Sequence, residues 1–254
     1  MRTFLPDTNA IIDYGRNPDR KARLDGAAAA GSKFVIAPPT LTELTVGVVK
    51  GGATYFAQNK VILEWLKNHA ANIMELPRPF MGQISGFPSK LGNVVIAHHE
   101  QRIELVAGAA DYADFLKRKD APGSVWSDIE QSAVIHEQQL DKEFHALKNL
   151  AKKPVGSFDL ATEFSKTFVV GGKGPDPKAF KDLFSAAFEY GEVTIAKIRA
   201  GANPRKNDQG RYGDFQLLFY LADPDIELLT SEDFSKDITH SPQRSRIVKV
   251  DSLP

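Results

Sequence analysis

Hydrophobic spacing divides the chain into three stretches. Phe4 and Leu5 form a short apolar run that stops at Pro6, and Ala10, Ile11, Ile12 and Tyr14 follow at spacings that suit a helix. Gly31 and Ser32 then lead into Phe34-Val35-Ile36-Ala37, an uninterrupted apolar run of the kind found in buried parallel strands. Pro38 and Pro39 close that strand. Thr40 and Glu43 read as a capping box opening the next helix. Near the other end, Asp214 is expected to open a helix carrying Leu217, Leu218 and Leu221. Asp223-Pro224-Asp225 turns into a strand at Ile226-Glu227-Leu228-Leu229, and a last strand is predicted at Ile247-Val248-Lys249-Val250.

Between these ends, residues 58–204 carry apolar positions three and four apart over long segments and read as almost wholly helical. One helix is predicted from Val94 through Leu116, ending in basic Lys117, Arg118 and Lys119. A second runs from Ser127 to Leu147 and a third from Lys178 to Phe188. The expected fold class is therefore α/β. A parallel sheet flanked by helices is built from 1–57 and 205–254, with 58–204 as a helical insertion within a single domain 1–254.

The 254 residues are 42% hydrophobic and 25% charged, a balance that argues against disorder and coiled coil. Thirty-two basic residues match thirty-two acidic ones, so any attraction for phosphate must be local. Without cysteine there is no disulfide framework, thiolate zinc site or cysteine nucleophile. Met1 to Asp7 lacks the apolar core of a signal peptide, and no apolar run nears the roughly 18 residues that cross a bilayer. The expectation is a cytoplasmic protein with no membrane partner.

Four acidic positions fall at comparable places in the β–α units. Asp7 follows the first strand, Glu43 lies early in the helix after the second, Asp214 heads a late helix, and Glu232 or Asp233 follows the strand ending at Leu229. Carboxyl ends of parallel strands share one sheet edge, so these acids can converge. Each also has a local explanation: Asp7 and Asp214 as helix caps, Glu43 as the second half of a capping box, Glu232 and Asp233 as solvated loop charges. Clustered carboxylates need a compensating cation, and hard oxygen donors suit Mg²⁺ or Mn²⁺.

Asp7-Thr8-Asn9 after a Phe-Leu strand, Glu43 within Leu41-Thr42-Glu43-Leu44, Asp214 before Phe215-Gln216-Leu217-Leu218, and Leu228-Leu229-Thr230-Ser231-Glu232-Asp233-Phe234 resemble, in that order, the PIN-domain nucleases. The resemblance covers residues 1 to about 50 and about 205 to 250. It implies a parallel sheet flanked by helices and divalent-metal-dependent hydrolysis of RNA, as an endoribonuclease that in many relatives is the toxin of a toxin–antitoxin pair. It also implies Mg or Mn as cofactor and an RNA substrate. An antitoxin-like protein partner and a homo-oligomer stay open. Asp7, Glu43, Asp214 and Glu232 would hold metal, Asp233 being the alternative fourth acid. Thr8, Asn9 and Thr230 would orient ligands or water. Two departures stand out: about two thirds of the chain separates Glu43 from Asp214, and Glu232 stands where the family has Asp. The second departure suits an alternative, a catalytically weak PIN-like module that binds RNA or a protein.

Two basic segments sit beside these acids: Gly15 to Arg23, with Arg16 and Arg20, and Lys197 to Arg211, with Arg205, Lys206 and Arg211. They read either as phosphate contacts or as solvated loops. Other constellations fail on spacing. Gly171-Gly172-Lys173-Gly174 lacks the phosphate-loop pattern, and Leu140 stands where His136-Glu137 would need a second histidine for zinc. Phe180, Phe184 and Phe188 read as core.

Overall fold

The computed structural model describes residues 1–87, 92–168, 173–202 and 209–254. Five strands, β1 (Thr3–Pro6), β2 (Lys33–Ile36), β3 (Ala70–Ile73), β4 (Ile226–Thr230) and β5 (Ile247–Lys249), form one sheet in the order β3-β2-β1-β4-β5. Every pairing is parallel. The expected α/β parallel architecture is therefore present, and both ends of the chain meet in its centre, where Leu5 pairs with Leu228 and Pro6 with Leu229. The chain steps outward from β1 to β3, returns, and steps outward on the other side. At such a reversal the loops leaving the two central strands diverge and open a crevice at their carboxyl ends. Asp7 and Ser231 are the first residues past those two strands.

Side chains alternate across each strand, and each face of the sheet has its own core. Phe4, Phe34, Ile36 and Leu229 lie in one, with Leu41, Ile62, Trp65, Val106, Phe115 and Ile129. Leu5, Val35 and Leu228 lie in the other, with Phe80, Phe180, Phe184, Phe188, Leu218 and Tyr220. The run Phe34–Ala37 lacks polar alternation because both faces are covered, whereas Ile226–Leu229 carries one polar position, Glu227, which accepts from Arg2 Nε at 2.8 Å. The phenylalanine stripe 180, 184, 188 is core, as expected, with ring centroids 4.9 to 6.5 Å apart.

The helices are α1 (Thr8–Tyr14), α2 (Pro18–Ala29), α3 (Pro38–His69), α4 (Pro77–Ile84), α5 (Gly92–Ala107), α6 (Tyr112–Lys119), α7 (Trp126–Lys152), α8 (Leu160–Ser165), α9 (Pro177–Leu183), α10 (Ser185–Arg199) and α11 (Gln209–Leu218). Residues 58–204 supply helices to both cores, so this stretch furnishes covering layers for the sheet. It also supplies β3, which corrects the expectation of a sheet drawn from 1–57 and 205–254 alone. Helix α3 runs through the expected boundary at 57. It bends sharply at Gly52, whose φ of 60° and ψ of −143° leave the helical region. Gly47 lets the two arms approach, since a Cβ there would lie 2.8 Å from Asn59 Nδ2. Asn59 Nδ2 in turn donates to Leu44 O at 2.6 Å.

Four local readings are corrected. The helix expected from Val94 to Leu116 is two, because Asp111 caps a new start by accepting from Asp114 N at 2.8 Å. The helix expected from Lys178 to Phe188 divides at Phe184. Helix α3 starts at Pro38, where a ring fixed at helical φ suits the first turn, so Thr40 is no cap and no capping box forms. Its hydroxyl donates to Pro6 O at 3.4 Å instead. Asp214 lies inside α11 and caps nothing.

Candidate functional site

The crevice between β1 and β4 is built from the backbone outward. Asp7 N donates to Leu229 O at 2.8 Å, which carries the β1–β4 pairing one residue past the strand. Asp7 then caps α1, its Oδ1 accepting from Ala10 N at 2.5 Å, and Thr230 Oγ1 donates to its Oδ2. The cap bond and the bond from Thr230 thus use different oxygens of one carboxylate. Asp7 is 1% exposed and Asp214 5%. Glu43 is partly exposed and accepts from Thr8 Oγ1. Glu232 is exposed, with Oε1 accepting from Asn9 Nδ2 at 2.6 Å and its backbone N donating to Thr230 Oγ1 at 2.9 Å. Thr8, Asn9 and Thr230 therefore each touch one of the acids, as their positions beside the acids suggested.

Burial pushes Asp7 up to about 7, and the charges of Glu232 and Glu43 push the same way, while the bonds from Thr230 and Ala10 N oppose them. Asp214 is pushed up to about 9 by burial, then by Glu232, Asp7 and Glu43, against a weak bond from Tyr190 OH to Oδ2 at 3.5 Å. Glu43 is raised by burial and partly held down by Thr8. Acids from β1, α3, α11 and the loop after β4 therefore share one electrostatic environment, although most of the chain separates them. Such a group must hold protons or attract a cation.

Asp233 takes another course. Its Oδ1 lies 3.7 Å from Lys249 Nζ at the end of β5. Glu232, the other acid that sequence left open, is among the charges that raise Asp7 and Asp214.

Tyr190 on α10 was not anticipated. Its ring packs against Phe234 with centroids 5.5 Å apart, and its hydroxyl reaches Asp214. In sequence it belongs to an apolar helical stripe, and nothing local marks its polar end as part of the crevice.

The basic residues divide. Arg16 is exposed and donates to Gln58 Oε1 at 2.9 Å. Arg20 is engaged by Asp13, Ser231 and Asp251. Lys21 pairs with Asp25 at 2.5 Å, and Arg23 donates to Leu253 O. Most of the 15–23 segment is thus committed within the molecule. Arg205 and Lys206 lie outside the described residues, as does the Arg211 side chain.

The donors fit Mg²⁺ or Mn²⁺ in kind, since all are hard oxygens and the described partners of the two buried acids are hydrogen-bond donors or other acids. Among the described residues, no three Asp, Glu, His or Cys side chains are closed together at ligand spacing. The acids are thus electrically coupled without being drawn into a finished coordination set. No helix among the described residues is long and apolar enough to cross a membrane. Comparison of the chain with protein families, with curated proteins and with solved structures returned no match.

Proposed function

We propose that this protein is a PIN-like, divalent-metal-dependent nuclease that hydrolyses RNA phosphodiester bonds, with Asp7, Glu43, Asp214 and Glu232 as the metal-holding acids. One observation carries the reading: Asp7, Glu43 and Glu232 each raise the proton affinity of Asp214 at the reversal point of a parallel sheet. Mutual repulsion of this kind is unfavourable unless a cation answers it. Mg²⁺ or Mn²⁺ bound there would neutralise charge on phosphate oxygens and activate water for hydrolysis. The chain's own groups prepare the site. Ala10 N and Thr230 fix the Asp7 carboxylate, Thr8 holds Glu43, Asn9 holds Glu232 and Tyr190 donates to Asp214. Arg16, exposed soon after α1, is suited to a substrate phosphate.

The test is cleavage of a varied set of single-stranded RNAs by the purified protein in Mg²⁺ or Mn²⁺, with Asp7→Asn as control. Cleavage that needs metal and disappears in the variant supports the reading. No cleavage of any RNA overturns it, and cleavage that persists in Asp7→Asn identifies a contaminant.

A second reading, a PIN-like module that binds RNA or protein with little catalysis, is favoured by the absence of a closed three-ligand group among the described residues. RNA binding without calorimetric Mn²⁺ binding above the Asp7→Asn background would select it.

A further inference from the structure

Three consecutive residues leave β4, and three residues of the β1–α1 segment hold them. Thr230 donates to Asp7, Ser231 Oγ donates to Asp13 Oδ2 at 2.7 Å, and Glu232 accepts from Asn9 at 2.6 Å. Asn9 and Asp13 are four residues apart on α1 and so share one helix face. That face grips adjacent residues of the loop, and whatever fixes Ser231 also limits where the Glu232 carboxylate can go.

Arg20, from α2, completes the grip. Its Nη1 donates to Asp13 Oδ2 and, at 3.0 Å, to Ser231 Oγ. Ser231 gives its single hydrogen to Asp13, which leaves a lone pair to receive Arg20, so the directions are mutually consistent. Nε and Nη2 meet the two oxygens of Asp251 at 3.0 Å each. The Arg20 side chain is only 21% exposed and Asp13 26%. A guanidinium with both sides of its fork occupied is poorly placed to read a phosphate, which was the sequence expectation for Arg20.

We propose that Arg20, braced by Asp251, is a positioning residue that holds Ser231 against α1 and so sets the Glu232 carboxylate at the acidic crevice. Glu232 is a long, exposed side chain on a loop, and ordering it costs backbone and side-chain freedom. The Arg20–Asp13–Ser231 contacts meet that cost before any cation arrives. The metal part of the inference rests on the proposed function, whereas the loop-ordering part does not.

The experiment compares wild type, Arg20→Gln, Arg20→Lys and Asp251→Asn in the full chain. Hydrogen exchange of the 231–233 amides, without metal, is read against exchange in β2, and Mn²⁺ binding is read by calorimetry. Arg20→Gln and Asp251→Asn are expected to speed loop exchange about tenfold while β2 stays as in wild type. Both should also weaken Mn²⁺ up to about 10-fold at unchanged stoichiometry, the low end of what losing a direct partner of a ligand costs, because Arg20 reaches Glu232 only through Ser231. Arg20→Lys should recover only part, because an ammonium cannot bridge both sides. Asp251 is 61% exposed and pairs with Arg20, so its variant reports on the brace even if Arg20→Gln fails to fold.

Unchanged loop exchange in both variants overturns the proposal, as does acceleration spread equally to β2, which would mark Arg20 as a general stability residue. Faster loop exchange with wild-type Mn²⁺ affinity overturns the link to Glu232. If wild type itself binds no Mn²⁺, the metal reading fails, and loop exchange still decides the positioning role.

Discussion

Glu189 and Asp214 are both carboxylates at the edges of the same layer, and their surroundings push them in opposite directions. Burial raises Glu189, but backbone N–H groups of Thr239, His240 and Ser241, with the Thr239 hydroxyl, outweigh it and hold the acid below the usual range. Asp214 has burial and three acids against it, with the 3.5 Å hydrogen bond from Tyr190 in its favour. Glu189 sits on α10 immediately before Tyr190, whose hydroxyl reaches Asp214 on α11, so adjacent residues of one helix serve the two cases. A carboxylate given enough donors serves as a fastener for the chain. One left among other carboxylates is costly to the fold and available to a ligand.

Cleavage is the sharpest way to break this comparison. Asp7→Asn is expected to lower the metal-dependent rate at least about 100-fold, since even partners of ligands cost 10- to 100-fold. Glu189→Gln, outside the crevice, should stay within about twofold of wild type. Equal losses in initial-rate assays would mean that the two environments do not separate function from structure.

Stability of the metal-free protein should reverse the order. At pH 8 Asp7→Asn removes an acid whose proton affinity is raised from 3.8 to about 7, and a gain on the order of 2 kcal/mol is expected once the capping bond is retained by the amide oxygen. Glu189→Ala strips acceptors from several backbone donors and should cost about 2 kcal/mol. Urea unfolding checks both, and equal signs would contradict the division.

The pH dependence sharpens the same point. Asp7 and Asp214 have folded-state values above their unfolded ones, so their contribution is fully present below about pH 4 and is lost as pH rises, to about 7 for Asp7 and about 9 for Asp214. Metal binding displaces those protons and strengthens with pH. The rise in Tm on adding Mn²⁺ should therefore be larger at pH 8 than at pH 6, and a rise independent of pH would place the ion elsewhere. The smallest effect is expected from Tyr190→Phe. It removes a long hydrogen bond worth about 1 kcal/mol or less. Mn²⁺ affinity should change by no more than about fivefold, while a loss comparable to Asp7→Asn would make Tyr190 a principal group of the site.

Local patterning was enough for β1, β2, β4 and β5: Phe4-Leu5, Phe34–Ile36 and Leu228-Leu229 send successive apolar residues into the two cores, and Ile247-Val248, partly buried at the sheet edge, adds one to each. The same order put Asp7, Glu43, Asp214 and Glu232 at comparable points of the β–α units, and the structure brings them near enough for Asp214 to feel the other three charges. Strand β3 was hidden: Ala70-Ala71-Asn72-Ile73 is half exposed, carries no apolar alternation, and becomes a strand by pairing with β2. The helix break at Phe184 was equally obscure, since the apolar periodicity runs through it, whereas the bend in α3 has a local signal in Gly51-Gly52, the second of which takes the positive φ. Asp214 read as a cap because Asp before an apolar run usually is one, yet α11 begins earlier.

Sequence by itself determined the strand-forming runs, the helical spacing and the supply of oxygen donors, all of which depend on neighbours along the chain. Only the tertiary structure decided that Glu232 faces Asn9 while Asp233 turns to Lys249, that Arg20 braces a loop, and that Tyr190 reaches Asp214. Asn9–Glu232 and Arg20–Ser231 join residues 223 and 211 positions apart, and Tyr190–Asp214 and Asp233–Lys249 join separate elements, so the energy that selects these contacts exists only once the fold has brought those elements together.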